Sequence, residues 1–326
     1  MSISEPIVWN FAGDNPVIRP GQLHGSLDAQ RASAAHVVDD EDHFRMYYWG
    51  TGSDGYNRIL MARSPKSDPN NWVPMGSVLE RQTEEESNFI GPSFPHVVAL
   101  DERQWLLFFA GWGPSREDGK LPNRTAVALS DDGGYHFRYH DGGPILNIDR
   151  TWDQEGTGSI CVLKKSGKLR MYYTSIARYF PKPEGIKTAH EGMIPFIGLG
   201  CAESTDGIEW TKSESGYVVE PREFETTPYE YIVSKPFVLK EDTGYRMWVN
   251  TCGIAYRMRS LVSTDAEQWQ WNESGENGEM SIGEPGTFDD LQRSYVSIVR
   301  QDGHYHCWYT GNGYGTTGMG YAWAEV

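Results

Sequence analysis

The chain has 326 residues, 45 Asp and Glu against 29 Lys and Arg, a formal net charge of −16, 13% aromatic residues, 36 Gly and 18 Pro. That length is ample for a large core in one or two domains, while the acidic balance argues against a nucleic-acid partner, whose phosphates reward Lys and Arg. The longest charge runs, Asp39-Asp40-Glu41-Asp42 and Glu84-Glu85-Glu86, are themselves acidic. No apolar run approaches the length of about 18 residues that a membrane span needs, so no membrane association is expected. Met1 to Pro6 lacks a basic stretch and an apolar stretch, so no signal peptide is expected. Cys161, Cys201, Cys252 and Cys307 are widely spaced. They read as buried reduced thiols of a cytoplasmic protein, a processed secreted chain being the other reading.

In chain order, one pattern recurs: an apolar run, a short polar turn, then an aromatic-rich strand. Its copies are Ala34 to Val38 with Phe44 to Tyr48, Pro95 to Val98 with Trp105 to Phe109, and Ser159 to Leu163 with Leu169 to Tyr173. Pro236 to Leu239 with Tyr245 to Val249, and Val296 to Val299 with Tyr305 to Tyr309, complete the series. A third strand follows and ends in Ser and an Asp-rich turn: Ser130-Asp131-Asp132-Gly133, Ser204-Thr205-Asp206-Gly207 and Ser263-Thr264-Asp265. Asp and Gly there suit a tight turn with a left-handed residue. Ser77 to Leu79, Pro144 to Leu146 and Tyr217 to Val219 are expected to close their units as fourth strands.

The last unit stops at a third strand, Gly320 to Val326, whereas Trp9 and Asn15 to Ile18 repeat the spacing of an aromatic and a final strand. The N-terminal segment is therefore expected to complete the last unit. The fold expected is all-β: a five-bladed β-propeller with four-stranded blades, residues 1–326 forming a single domain without exposed sheet edges.

In such a ring the loops entering each innermost strand share one face with the loops joining the second and third strands. The entry loops, residues 22–33, 82–94, 147–158, 222–235 and 284–295, each carry a carboxylate. Asp28, Asp153, Glu155 and Glu230 are the candidate catalytic acids. Arg31, His36, His96, Trp112, Arg178, Lys235, Asp289 and Tyr314 are the candidate ligand contacts. Carboxylates converging with aromatic and basic side chains suit a carbohydrate, on which paired acids can perform glycoside hydrolysis. The bland reading is that acidic loop residues of so acidic a chain are solvated or cap turns.

The repeated hairpins, with phrases such as Tyr245-Arg246-Met247-Trp248 and Ser204-Thr205-Asp206-Gly207-Ile208-Glu209-Trp210, resemble the five-bladed propellers of the arabinanase, levansucrase and invertase superfamily. The resemblance covers essentially the whole chain. It implies a glycoside hydrolase, or a transferase or phosphorylase, with three carboxylates in the funnel. The departures are specific. Family 43 arabinanases open the first inner strand with Asp-Pro, where this chain has Ala34-Ala35; the corresponding second and third slots hold Phe94-Pro95 and Ser159-Ile160. Asp28 would then serve as base or nucleophile from the preceding loop, Asp153 or Glu155 as acid or orienting group, and Glu230 as third acid.

Two alternatives stand beside this: a glycan-binding propeller without catalysis, and a sugar phosphorylase or transferase with Arg178 or Lys235 as anion partner. No cofactor or metal site is expected. The histidines lack ligand spacing, and no loop motif specifies Ca2+, although funnel oxygens could hold a structural one. His36 and His96 occupy equivalent repeat positions, which suits packing around the central channel. The long loop from Ile176 to Pro195 reads as a lid or as a contact surface. Sugar identity and oligomeric state are not legible.

Overall fold

The computed structural model describes residues 5–82, 90–112, 123–222, 229–272 and 278–326; for Trp112 only the backbone is described. Among these, helix is confined to a 3-10 turn at Gly25–Leu27 and a single turn, α1, at Asn312–Gly315. A two-residue strand β1 (Asn10–Phe11) opens the chain, and five antiparallel meanders follow. The first comprises β2 (Arg31–Asp40), β3 (His43–Thr51), β4 (Asn57–Pro65) and β5 (Val73–Leu79). The second comprises β6 (Gly91–Ala99), β7 (Trp105–Trp112), β8 (Asn123–Ser130) and β9 (Arg138–Tyr139). The third is β10 (Gly156–Lys165), β11 (Lys168–Pro181), β12 (Met193–Ser204) and β13 (Thr211–Lys212). The fourth is β14 (Ile232–Glu241), β15 (Gly244–Cys252), β16 (Tyr256–Ser263) and β17 (Gln270–Trp271). The fifth has β18 (Ser294–Gln301), β19 (His304–Thr310) and β20 (Met319–Glu325), and β1 pairs with β20 as its outer strand.

The outer strands differ from the expectation. In the second and third meanders the pairing begins earlier, at β9 and β13, and then breaks. It resumes past a turn through Ile145 N–H to the Thr125 carbonyl in the second, and through Val218 N–H to the Leu199 carbonyl and Leu199 N–H to the Val219 carbonyl in the third. The cause is local: Gly143 and Gly216 hold φ of 74° and 83°, which a continuing strand cannot accommodate. The segments 144–146 and 217–219 thus sit beside the third strand, but as resumed contacts. Ile18 rejoins Met319 in the same way.

The Ser–Asp turns have the expected chemistry. Ser204 Oγ accepts the Asp206 and Gly207 amides, and Asp206 Oδ1 accepts the Ile208 and Glu209 amides. Ser130 with Asp132, and Ser263 with Asp265, repeat the arrangement.

The apolar core lies between consecutive meanders. Phe44 and Trp72 pack on Trp308, Trp49 on Phe94 and Phe109, Phe108 on Met171, Tyr172 on Val238, and Trp248 on Ile298 and Tyr305. The innermost strands touch in a cycle, β2 to β6, β6 to β10, β10 to β14, β14 to β18 and β18 to β2.

Each inner strand carries a register shift near its start. In four of them the shift holds a left-handed residue: Ala34, Phe94, Lys235 and Tyr295, at φ of 49°, 51°, 47° and 55°. Such bulges turn one side chain out of the pleat. The residue after each bulge bonds the next strand: His36 Nδ1 accepts the Val97 amide, His96 Nε2 the Val162 amide, and Cys161 Sγ the Val238 amide. Ser297 Oγ accepts the Val37 amide. Phe237 stands at the fifth equivalent position and offers no acceptor. All four cysteines are buried and unbonded to one another.

Candidate functional site

A cavity of about 570 Å³ opens where the inner strands begin. Its wall is built from Arg31 at the start of β2, Trp49 and Thr51 on β3, and Asn57 on β4. Phe94 of β6, Asn123 of β8, Ser159 of β10 and Thr174 of β11 continue it, with Tyr256, Tyr295 and Tyr314 beyond. His190 comes from the segment joining β11 to β12, and Met193 opens β12. The bulges explain much of this wall, because Phe94 and Tyr295 are left-handed bulge residues whose side chains reach the cavity. Tyr314, at φ 57° within α1, is a third wall aromatic in that sparsely populated backbone region.

The aromatics form one connected face. Trp49 meets Phe94 at 5.3 Å between ring centres, Phe94 meets Tyr295 at 5.0 Å edge-on, and Tyr295 stacks on Tyr314 at 6.3 Å and 14°. The Arg31 guanidinium lies 4.8 Å from the centre of the Trp49 ring, an arrangement that holds a cation against an aromatic face. Tyr314 Oη stands 3.2 Å from His190 Nε2, and His190 Nδ1 stands 2.6 Å from Tyr231 Oη. Burial lowers the His190 pKa and raises that of Tyr314, so both are neutral near pH 7. Asn123 Oδ1 is buried with no hydrogen-bond partner among the described residues. The wall therefore offers ring faces, amides, hydroxyls and one guanidinium, and no described wall residue is an Asp or Glu.

The acids singled out in the sequence are held elsewhere. Asp28 is fully buried and accepts a 2.7 Å bond from Tyr48 Oη, its Oδ1 lacking a partner among the described residues. Asp153, also fully buried, accepts from Lys212 Nζ at 2.5 Å and from Tyr173 Oη at 3.3 Å. Asp289 accepts from Arg293 Nε at 2.5 Å, Thr287 Oγ1 at 2.9 Å and Tyr309 Oη at 3.0 Å. Tyr48, Tyr173 and Tyr309 occupy one repeat position, and each acid lies eight residues before the equivalent inner-strand position, His36, Cys161 or Ser297. The first, third and fifth meanders thus share an Asp–Tyr contact tying the entry loop to the second strand. Glu230 is bound by Thr251 Oγ1 at 2.7 Å and Arg259 Nε at 3.0 Å. None of the four lines the cavity.

Glu155 is different. It is half-buried, and its amide bonds the carbonyl of Ile176, a wall residue, so it stands at the cavity margin. Arg31 and Tyr314 lie in the wall, whereas Arg178 faces a separate groove with Phe196, Trp269 and Trp271. His36, His96 and Lys235 are buried further along the inner strands. Trp112 ends β7 beside Gly91 and Asn123, its side chain lying outside the described residues. Glu84, Glu85, Glu86, Glu223 and Glu225 also lie outside them. Among the described residues no group of His, Cys, Asp and Glu could hold a metal ion, and no helix is long and apolar enough to cross a membrane.

Trp49, Thr174 and Tyr256 are wall residues that sequence reasoning missed, whereas Asn57 and Asn123 belong to the segments joining second and third strands that it expected on this face. Trp49 and Tyr256 were hidden among the many aromatics of the repeat. Asn57 and Asn123 share a signal, since each is the first residue of a third strand and faces the funnel.

No family model matches the chain. An uncharacterised protein of Mycobacterium tuberculosis, Rv1502, is 26% identical over 312 residues, covering 92% of this chain and 95% of its own. Among solved structures, a glycosyl hydrolase from Bacteroides ovatus superposes with a TM-score of 0.71 at 13% identity, covering 98% of this chain and 94% of that one. A structure described with the GH130 family of mannoside phosphorylases, which contains hydrolases of β-1,2-mannosidic linkages, gives a TM-score of 0.68 at 14% identity over 99% and 97% of the two chains. A thermostable family-43 glycoside hydrolase gives 0.66 at 15% identity, over 94% and 91%. The chain has the fold on which these glycoside-processing proteins are built.

Proposed function

We propose that residues 1–326 form one domain, a five-bladed propeller, and that its funnel binds a small or oligomeric carbohydrate. The five meanders are its blades, and the cyclic contacts of the inner strands support closure of the ring. One observation carries the functional reading: a 570 Å³ cavity whose wall alternates aromatic faces with amide and hydroxyl groups. Sugars present apolar C–H faces and a rim of hydroxyls, so they match a wall that stacks and hydrogen-bonds at once. Trp49, Tyr295 and Tyr314 supply the stacking, and Asn57, Asn123, Arg31 and His190 the polar contacts. An uncharged sugar suits this wall, which offers a single cation.

A second reading, glycoside hydrolysis, is favoured by Glu155 and by the hydrolases that share the fold. In it Glu155, at the margin, protonates the leaving oxygen. Asp28, Asp153 and Glu230 stay as structural acids. The partner carboxylate would have to stand about 5 to 9.5 Å away.

Calorimetric titration of neutral oligosaccharides, followed by product analysis with and without phosphate, tests both. Saturable heat without product supports binding alone. Product supports hydrolysis, and product formed only with phosphate supports phosphorolysis. A panel of gluco-, manno-, arabino- and fructo-oligosaccharides that gives neither heat nor product removes the carbohydrate reading.

A further inference from the structure

A second cluster lies deeper along the inner strands than the cavity, and its free polar atoms are hydrogen-bond donors. Lys235, the bulge residue of β14, is 1% exposed, and its Nζ has no hydrogen-bond partner among the described residues. It acts electrostatically on His36, His96 and Cys161, from three neighbouring inner strands. The two imidazoles stack with 4.1 Å between centres at 28°.

Their tautomers follow from the strand contacts. His36 Nδ1 accepts the Val97 amide, so a neutral His36 carries its proton on Nε2. His96 Nε2 stands 3.0 Å from the Val162 nitrogen and 3.3 Å from the Val162 carbonyl oxygen; accepting the closer amide puts the ring proton on Nδ1, an atom buried with no partner among the described residues. An ammonium and an imidazole N–H are thus withdrawn from water with no acceptor among the described residues. An ammonium so placed repels a metal cation, and a buried charge is ordinarily paired.

We propose that this channel binds a small inorganic anion of the halide class, with Lys235 Nζ as its charge partner and His96 Nδ1–H as a second donor. A monatomic anion accepts from several directions and needs little room, and none of these side chains lines the large cavity. The proposal is independent of whether that cavity binds a sugar.

Burial draws Lys235 down to about 8 and His96 to about 3, and holds His36 well below its ordinary value. Near neutrality the lysine is therefore charged and the imidazoles are neutral. Cys161, raised to about 11, stays a thiol. The inner strand of the fifth meander brings Ser297 to the equivalent position, and it does not titrate. Halide affinity should consequently fall as the pH rises past about 8.

Two measurements decide. Thermal unfolding at pH 6.5 and constant ionic strength, with chloride or bromide replacing gluconate, should show a midpoint that rises saturably with halide. That increment should vanish in Lys235→Met. A bromide-soaked crystal of the wild-type protein should show an anomalous peak within hydrogen-bond distance of Lys235 Nζ. No peak there, or an equal halide increment in Lys235→Met, overturns the proposal. If Lys235→Met does not fold, the wild-type crystal decides alone.

Discussion

Wall residues and acids approach the same inner strands only a few positions apart, yet their polar atoms are used in opposite ways. Arg31, Asn57, Asn123 and Tyr314 border open space, whereas Asp28, Asp153 and Asp289 are closed off by tyrosine, lysine or arginine. Asp28 and Arg31 are three positions apart, yet Asp28 is fully buried off the cavity and Arg31 lines it. An entry loop therefore has two faces, and a position in the loop does not decide which one a side chain takes. The lesson is energetic as well. A carboxylate paired with a cation, as Asp153 is with Lys212 and Asp289 with Arg293, is already neutralised, and freeing it to attack a substrate would leave that buried cation unpaired.

The strongest way to break this comparison is Asp153→Ala. It leaves the buried Lys212 with only the Asn147 carbonyl and the exposed Asp149 as acceptors among the described residues, and should cost about 3–5 kcal/mol of stability in urea unfolding. Under conditions where the variant stays folded, its sugar affinity should match the wild type. A stable variant that no longer binds sugar would instead place Asp153 in the site.

Tyr314→Ala tests the other face. It removes a ring that stacks on Tyr295 and a hydroxyl that meets His190. Sugar affinity should fall about tenfold, or ~1.4 kcal/mol, with a smaller loss of stability because the residue is only half-buried.

Asp28→Asn sharpens the distinction. Asn keeps an oxygen for Tyr48 and loses only the charge, so stability should change by about 1 kcal/mol or less. Any turnover the protein has should persist. Turnover abolished in Asp28→Asn at unchanged stability would return Asp28 to the catalytic role that its loop position suggested.

The fold was largely legible because the hairpins repeat in register. Tyr47, Tyr172 and Trp308 recur at one spacing, and the Ser–Asp turns carry their own geometry. That the N-terminal segment pairs with the last unit was legible from the missing fourth strand there, although the pairing strand is Asn10–Phe11 and the expected Asn15 to Ile18 contributes only the Ile18 bridge. The site was not. What turns Phe94 and Tyr295 into the cavity is a bulge with positive φ, and neither residue type announces one, since such backbone ordinarily selects Gly or Asn. Asp28 and Asp289 looked like funnel acids because only tertiary contact reveals that Tyr48 and Tyr309, some 20 residues on, donate hydrogen bonds to them. Lys235 followed the same pattern, a cation placed by sequence at the funnel that is buried away from the cavity wall although it holds the bulge position of Phe94 and Tyr295.

The smallest effect concerns acids that neither line the cavity nor enter the core. Asp132 accepts from Ser130 and His136 side chains and from the amides of Tyr135 and His136, and these bonds hold its pKa at about 2. The folded value lies below the unfolded one of about 3.9, so the turn's contribution is complete above pH 4. It is lost as the pH falls through about 2. The stability difference between wild type and Asp132→Asn should therefore be present at pH 7, shrink between pH 4 and 2, and vanish below. Because the turn is open to water, that difference should stay under about 1 kcal/mol. Asp153 differs, since it is sealed behind Lys212: Asp153→Asn, which removes the charge opposite that lysine, should destabilise the protein far more than Asp132→Asn. Unfolding of wild type, Asp132→Asn and Asp153→Asn followed from pH 7 to pH 2 separates the two classes of acid. If Asp132→Asn proves the more damaging at pH 7, the division between sealed and solvated acids does not hold.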